Sequence, residues 1–261
     1  MKKSLGWLMV TALFLHANQG AELFQKKCAS CHDYYIPQSR LNKNYKEHNR
    51  PLKLKAPTLT ELSFRLKDQI GDRTSDAESQ TFEIEAFLEQ FLKNPAANPH
   101  TILPAHVREL FQVMPPVEVS ESEVEALATY MYAYAEKMMV AHGVKRYSYE
   151  AAKKKAQAEG KMILIEGYIP FCRGCVWMDR NVMVEPEVKA LLRRSFLLVK
   201  KNLLVETLPL GMKRLGTPSF YFISSDGKQV IDRVSGTGTV EEFIDLLKHI
   251  QTKERSAATK I

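Results

Sequence analysis

Apolar positions recur at three- and four-residue steps along much of this chain and in short unbroken runs elsewhere, and the two patterns divide it. Residues 21–27 (AELFQKK) make a short amphipathic helical start. Residues 82–92 (FEIEAFLEQFL) keep a helical period, and their apolar stripe reads as core. Ser120-Glu121-Ser122-Glu123 opens another helix with a capping box, Ser120 as cap and Glu123 three residues on. Its face continues through Val124, Leu127, Ala128, Met131, Tyr132 and Tyr134. Residues 148–159 form a helix ended by Gly160. Beyond it come strand-length apolar runs at 162–165 and 196–200, with helices over 172–179 and 186–194 between them. Strands at 220–223 and 230–234 are joined by Ser225-Asp226-Gly227 as a hairpin. A helix over 239–250 closes the pattern, with Val240, Phe243, Ile244, Leu247 and Ile250 on one face. The expectation is a multidomain chain, all-α first and α/β second.

Charge supports the division. Among 261 residues the net charge is +7. Residues 21–140 hold 14 Lys and Arg against 17 Asp and Glu, whereas residues 141–261 hold 21 against 13. The cations of the second half are scattered among acids over helices, and no module of stacking aromatics accompanies them, which argues against a nucleic-acid partner. The first residues are Met-Lys-Lys, then a mostly apolar stretch over 5–15, then small and polar residues over 17–21. That order fits a secretory signal peptide with cleavage near Ala17 or Gly20. Its apolar core is short for a retained anchor, and no cysteine follows it for a lipid. The expected divisions are a signal peptide over 1–20, a helical domain over 21–140, a linker over 141–147, an α/β domain over 148–252 and a basic tail over 253–261. The expected location is the periplasm, with contact to a membrane surface left open.

Four cysteines fall in two pairs of equal spacing, one in each half. Cys28-Ala29-Ser30-Cys31-His32 is C-x-x-C-H, the attachment motif for c-type haem. Cys172-Arg173-Gly174-Cys175 is C-x-x-C without the histidine, the spacing of a dithiol–disulfide centre. No cysteine remains for a structural bridge, so both pairs are assigned to chemistry. A shared four-cysteine zinc site would need the pairs in one module, which their separation disfavours.

The first half resembles the class I cytochromes c. The resemblance is carried by Cys28, Cys31 and His32 near the start, Val113-Met114-Pro115-Pro116 downstream, and the helix after Ser120, over about residues 21–140. It implies one haem c covalently bound through Cys28 and Cys31, with His32 and Met114 as iron ligands. It also suggests that Ala56-Pro57-Thr58-Leu59 supplies a proline carbonyl to the ring of His32. Met114 as a core methionine, and His100 or His106 as sixth ligand, are the competing readings. The region between Asp33 and Lys55 is longer and more basic than the family leads one to expect.

The second half resembles the thioredoxin superfamily over about residues 148–252, in the flavour of periplasmic members such as the C-terminal domain of the thiol reductase DsbD. The order of strand, redox turn, helix, strand, Thr217-Pro218 loop, hairpin and helix carries it. The resemblance implies Cys172 as nucleophile, Cys175 as resolving thiol, Pro218 as a cis-proline beside them and Glu166 as a buried acid, against the alternative of a solvated strand-end glutamate. Arg173 would favour the Cys172 thiolate, and Trp177 is expected to pack beneath the redox helix. The implied function is an exported thiol-disulfide oxidoreductase with a haem c that passes electrons to or from a respiratory electron-transfer protein, acting on protein thiols or disulfides. Thioredoxin-type couples lie at roughly −270 to −120 mV, below a His/Met haem, so direct transfer would run from dithiol to haem. The alternatives are an electron-carrier cytochrome whose second half docks a protein such as an apocytochrome, and a sensor or peroxidase at an open haem.

Overall fold

The structure, a computed structural model, describes residues 18–97 and 102–258. The expected signal peptide lies outside the described residues up to Ala17, as does His100. The chain divides into two compact units after Met138. Among the described residues, no helix is long and apolar enough to cross a membrane.

The first unit is entirely helical: α1 over residues 18–27, α2 (Gln38–Lys46), α3 (Leu59–Gln69), α4 (Ala77–Lys93), a single turn α5 (Ala105–Arg108) and α6 (Glu121–His142), which runs past the division. Phe24, Leu59, Leu66, Ile84, Leu88, Leu127 and Met131 share one core, to which α1, α3, α4 and α6 all contribute. The α1–α6 crossing is close because Gly20 has no side chain. A Cβ there would lie 2.1 Å from the Ala126 carbonyl oxygen and 2.6 Å from Tyr130 Cβ. Lys27 Nζ ties the end of α1 to the start of α6 through the Glu118 carbonyl at 2.6 Å and Glu123 at 3.1 Å. The capping box forms as expected, with Ser120 N–H donating to Glu123 (2.8 Å) and Glu123 N–H to Ser120 Oγ (3.3 Å).

The second unit has α7 (Tyr149–Glu159), β1 (Met162–Tyr168), α8 (Arg173–Asn181), α9 (Pro186–Ser195), β2 (Phe196–Asn202), β3 (Ser219–Ile223), β4 (Val230–Ser235) and α10 (Val240–Ala258). Sheet order is β2-β1-β3-β4, with β1–β2 parallel and the other pairs antiparallel. Alternation along the strands sorts the two faces. Met162, Leu164, Phe196, Leu198, Phe220 and Phe222 meet α8, α9 and α10 on one face. Ile163, Ile165, Leu197, Val199 and Tyr221 meet α7 on the other. There the loop over 203–218 lies where a helix could: Leu208, Met212 and Leu215 pack on that face. The buried Tyr221 hydroxyl anchors the loop by accepting the Leu215 N–H at 2.9 Å.

Two expected boundaries differ. Residues 141–147 are not a free linker. His142 still belongs to α6, Val144 packs on the second core, and Arg146 bridges Leu198 on the open edge of β2. Nor does the second unit stop at 252, because α10 continues to Ala258. Glu254 there accepts hydrogen bonds from the Ser225 N–H and hydroxyl, both at 2.9 Å.

Candidate functional site

The dithiol pair sits where a strand hands over to a helix. Cys172 and Cys175 form a disulfide. Cys172 is the N-cap of α8, and its sulfur accepts the Cys175 N–H at 3.0 Å. Unpaired N–H groups and the helix dipole at this end favour negative charge on sulfur once the bond is reduced. Both cysteines are buried, while Phe171, Val176 and Trp177 around them are exposed. Trp177, expected beneath the helix, is 42% exposed and faces outward.

Pro218 follows a cis peptide bond and reaches the pair through Gly174. A Cβ on Gly174 would lie 2.9 Å from Pro218 Cδ and 3.1 Å from Thr237 Cγ2. Glycine between the cysteines is thus what lets the proline loop close over α8. The antiparallel register sets Gly167 opposite Ser219, which brings this loop to the C-terminal end of β1.

Glu166 is fully buried, which decides against a solvated strand end. Its position follows from the alternation that builds the core. On the face of Met162 and Leu164 it is the next residue, as Lys200 follows Phe196 and Leu198, and the register pairs Glu166 with Lys200. Lys200 Nζ stands 3.1 Å from Glu166 Oε1 and donates a hydrogen bond to Asp179. Arg146 Nη2 donates to Asp179 Oδ1 at 2.7 Å and lies 3.9 Å from Glu166 Oε2. Burial first, and the Asp179 carboxylate second, push the Glu166 carboxyl up to about 7 against the pull of Lys200 and Arg146. Asp179, Lys200 and Arg146 were not identified from sequence. The strand alternation carried a signal for Lys200, and the four-residue step from Cys175 carried one for Asp179.

In the first unit, His32 is nearly buried, and its Nδ1 lies 2.7 Å from the Pro57 carbonyl oxygen. The backbone holds the two together. Leu59 N–H donates to the Asp33 carbonyl at 2.7 Å, and the Thr60 hydroxyl donates to the Tyr34 carbonyl at 2.7 Å. The long 33–55 region leads into Pro57 through an asparagine-bonded loop. Asn44 Oδ1 accepts Leu52 N–H, and Asn49, at φ +60°, accepts Leu54 N–H. With Nδ1 serving as donor to Pro57, Nε2 keeps its lone pair. Burial lowers the pKa of His32, with the Pro57 bond opposing it, so the ring stays neutral. Cys28 is half-buried and Cys31 exposed, both as thiols. Burial raises the Cys28 pKa, with Lys27 opposing. Met114 packs against the core of the first unit, and His106 is exposed on α5. Neutral His32, paired thiols and a thioether are a donor set that fits a c-type haem.

The thioredoxin-like family matches residues 145–223. Among solved structures, the chain is similar to a thioredoxin from Thermus thermophilus at 25% identity and TM-score 0.39, over 44% of this chain and 93% of that one. It is similar to the oxidoreductase DsbH at 15% identity and TM-score 0.33, over 41% and 84%. It is also similar to the C-terminal domain of Neisseria meningitidis DsbD in the reduced form, at 21% identity and TM-score 0.31, over 38% and 91%. None of the curated proteins matches the chain significantly. The second half carries a thioredoxin-like domain over the matched residues.

Proposed function

We propose that this chain is an exported thiol-disulfide oxidoreductase that also carries one covalently bound haem c in its helical unit. The observation that carries the thiol reading is the Cys172–Cys175 pair at the head of α8, in a unit whose β1 also buries Glu166 fully. In the reduced protein the Cys172 thiolate attacks a partner disulfide. A bond forms between Cys172 and one partner sulfur, and the other partner sulfur leaves as a thiolate that takes a proton. Glu166 accepts the Cys175 proton. The Cys175 thiolate then attacks Cys172, releasing the second partner sulfur. The partner gains two electrons and becomes a dithiol, and Cys172–Cys175 becomes the disulfide. Pro218, pressed against Gly174, lines the approach to Cys172.

The haem reading is supported by the chemistry of the first unit. Cys28 and Cys31 would hold the group through thioether bonds, and His32 and Met114 would ligate its iron. When bound, the group supplies one-electron chemistry toward a respiratory electron-transfer protein. The chain's own part is to orient His32 through Pro57, to keep its ring neutral, and to bury it beside Phe24, whose ring centroid lies 6.2 Å away. Export follows from the basic, apolar and small-residue order of the first residues.

Reduction of a disulfide-bonded protein substrate by pre-reduced protein tests the thiol reading. The expected result is stoichiometric reduction by the wild type, a trapped mixed disulfide with Cys175→Ser, and no reaction with Cys172→Ser. Equal rates for wild type and Cys172→Ser would overturn it.

A further inference from the structure

Two acids and two bases meet in the second unit, one of them on the helix that carries the disulfide, and their hydrogen bonds are unevenly shared. Asp179 is four residues after Cys175, one turn down the same face of α8. It accepts from Arg146 at 2.7 Å on one oxygen and from Lys200 on the other. Glu166 has the same two cations nearby, at 3.9 Å and 3.1 Å, yet neither makes a hydrogen bond to it. Two charge-assisted hydrogen bonds occupy Asp179, whereas Glu166 has mainly the Coulomb attraction of the same cations to offset its burial. We infer that Arg146 is a positioning residue of the dithiol site: by engaging Asp179, one turn after Cys175 on α8, in a charge-assisted hydrogen bond, it leaves Glu166 as the acid that carries the exchanging proton. The inference rests on the thiol-exchange reading above and on Glu166 as proton acceptor.

Arg146 differs from the other members of the cluster in origin. Glu166, Lys200 and Asp179 come from β1, β2 and α8. Arg146 precedes α7, and its backbone is held on the free edge of β2 by its bridge to Leu198 and by the Tyr147 N–H bond to the Leu198 carbonyl at 2.9 Å. The segment entering the second unit therefore supplies part of the proton site. The charged groups facing Glu166 are Asp179 from α8, Lys200 from β2 and Arg146 from this segment. Its neighbour on β3 is the uncharged Phe220. Without Arg146, the two acids would share Lys200 and hold a proton between them to higher pH.

Arg146 lines an open cleft with Tyr147, Arg193 and Leu197, so methionine there keeps the aliphatic contacts and loses the guanidinium. The test is the pH profile of Cys172 alkylation by iodoacetamide in the reduced full chain, read by peptide mass so that the other thiols do not contribute. In the wild type, the lower inflection reports Glu166 and disappears in Glu166→Gln. The expected result for Arg146→Met is that inflection moved up by about one pH unit. Arg146→Lys, which keeps the charge without the planar fork, should fall between them, and it keeps the test open if the methionine variant does not fold. Arg146 profiles that superimpose on wild type while Glu166→Gln flattens would overturn this inference alone. A Glu166→Gln profile that superimposes on wild type would overturn both it and the proton-acceptor reading beneath it.

Discussion

In the proposed function, the two units prepare redox chemistry in different ways. In the second, every reacting atom belongs to the chain: two sulfurs, a helix N-terminus and a buried acid with its own counter-ions. In the first, as proposed, the chain presents donors to a bound group. His32 is oriented through Nδ1 and kept neutral, beside two thiols that make no disulfide. A self-sufficient site shows its mechanism in its contacts. A site that waits for a group shows only how its ligands are held, and here that is the network around Asp33, Tyr34 and Pro57.

Several substitutions sharpen that contrast. The largest effects are complete losses confined to one unit. Cys172→Ser should abolish disulfide exchange and leave covalent haem attachment intact. The Cys28→Ser/Cys31→Ser pair should abolish attachment, read as haem-linked absorbance after denaturation, and leave exchange unchanged. Loss of both functions in either variant would mean that the units do not act separately.

Next in size is the pH dependence of stability. Glu166 is raised from 4.5 to about 7 in the folded chain. The folded state therefore binds more protons than the unfolded one over that interval, and stability falls as pH rises through it. Glu166→Gln should remove this decline, worth about 3 kcal/mol, and so gain on the wild type between pH 5 and 8. Denaturant titrations at both pH values measure it, and parallel losses in the two proteins would contradict the buried acid. His32, with a lowered folded value, has the opposite sign: its contribution is lost as pH falls below the ordinary imidazole range.

Gly20→Ala comes third, in a chain cut near Ala17, so that Gly20 stays in the first helix. Its Cβ would meet the Ala126 carbonyl at 2.1 Å, so the α1–α6 crossing must open at a cost of about 2 kcal/mol. Melting of the helical unit should shift while exchange at Cys172 stays constant. Ser120→Ala should cost about 1 kcal/mol through the lost cap, read by the same melt.

Much of the scaffold was legible because its signals are local. The Ser120–Glu123 box, the Ser148 cap with Gly160 at φ +63°, and the alternation of β1 and β2 each specify an element with little help from elsewhere. α2 was not legible: only Leu41 and Asn44 are buried on it, and it is held by asparagine side chains reaching across a loop rather than by an apolar period. At the thiol site, Cys172, Cys175, Glu166 and Pro218 came from spacing and resemblance, and the structure gathers Pro218 against Gly174 and buries Glu166. Arg146 left no local signal, since a single bridge on a strand edge has no period to read. Trp177 was misplaced because helical spacing tells which residues share a face, not which face meets solvent.

The central claim is that one chain holds two separate redox centres, and a single experiment addresses both. The full chain is produced in a host that attaches haem c to exported proteins, purified, fully reduced, denatured and alkylated, and its intact mass is measured. The account predicts the polypeptide plus one haem with two alkylated thiols, Cys172 and Cys175. Four alkylated thiols and no haem would contradict it.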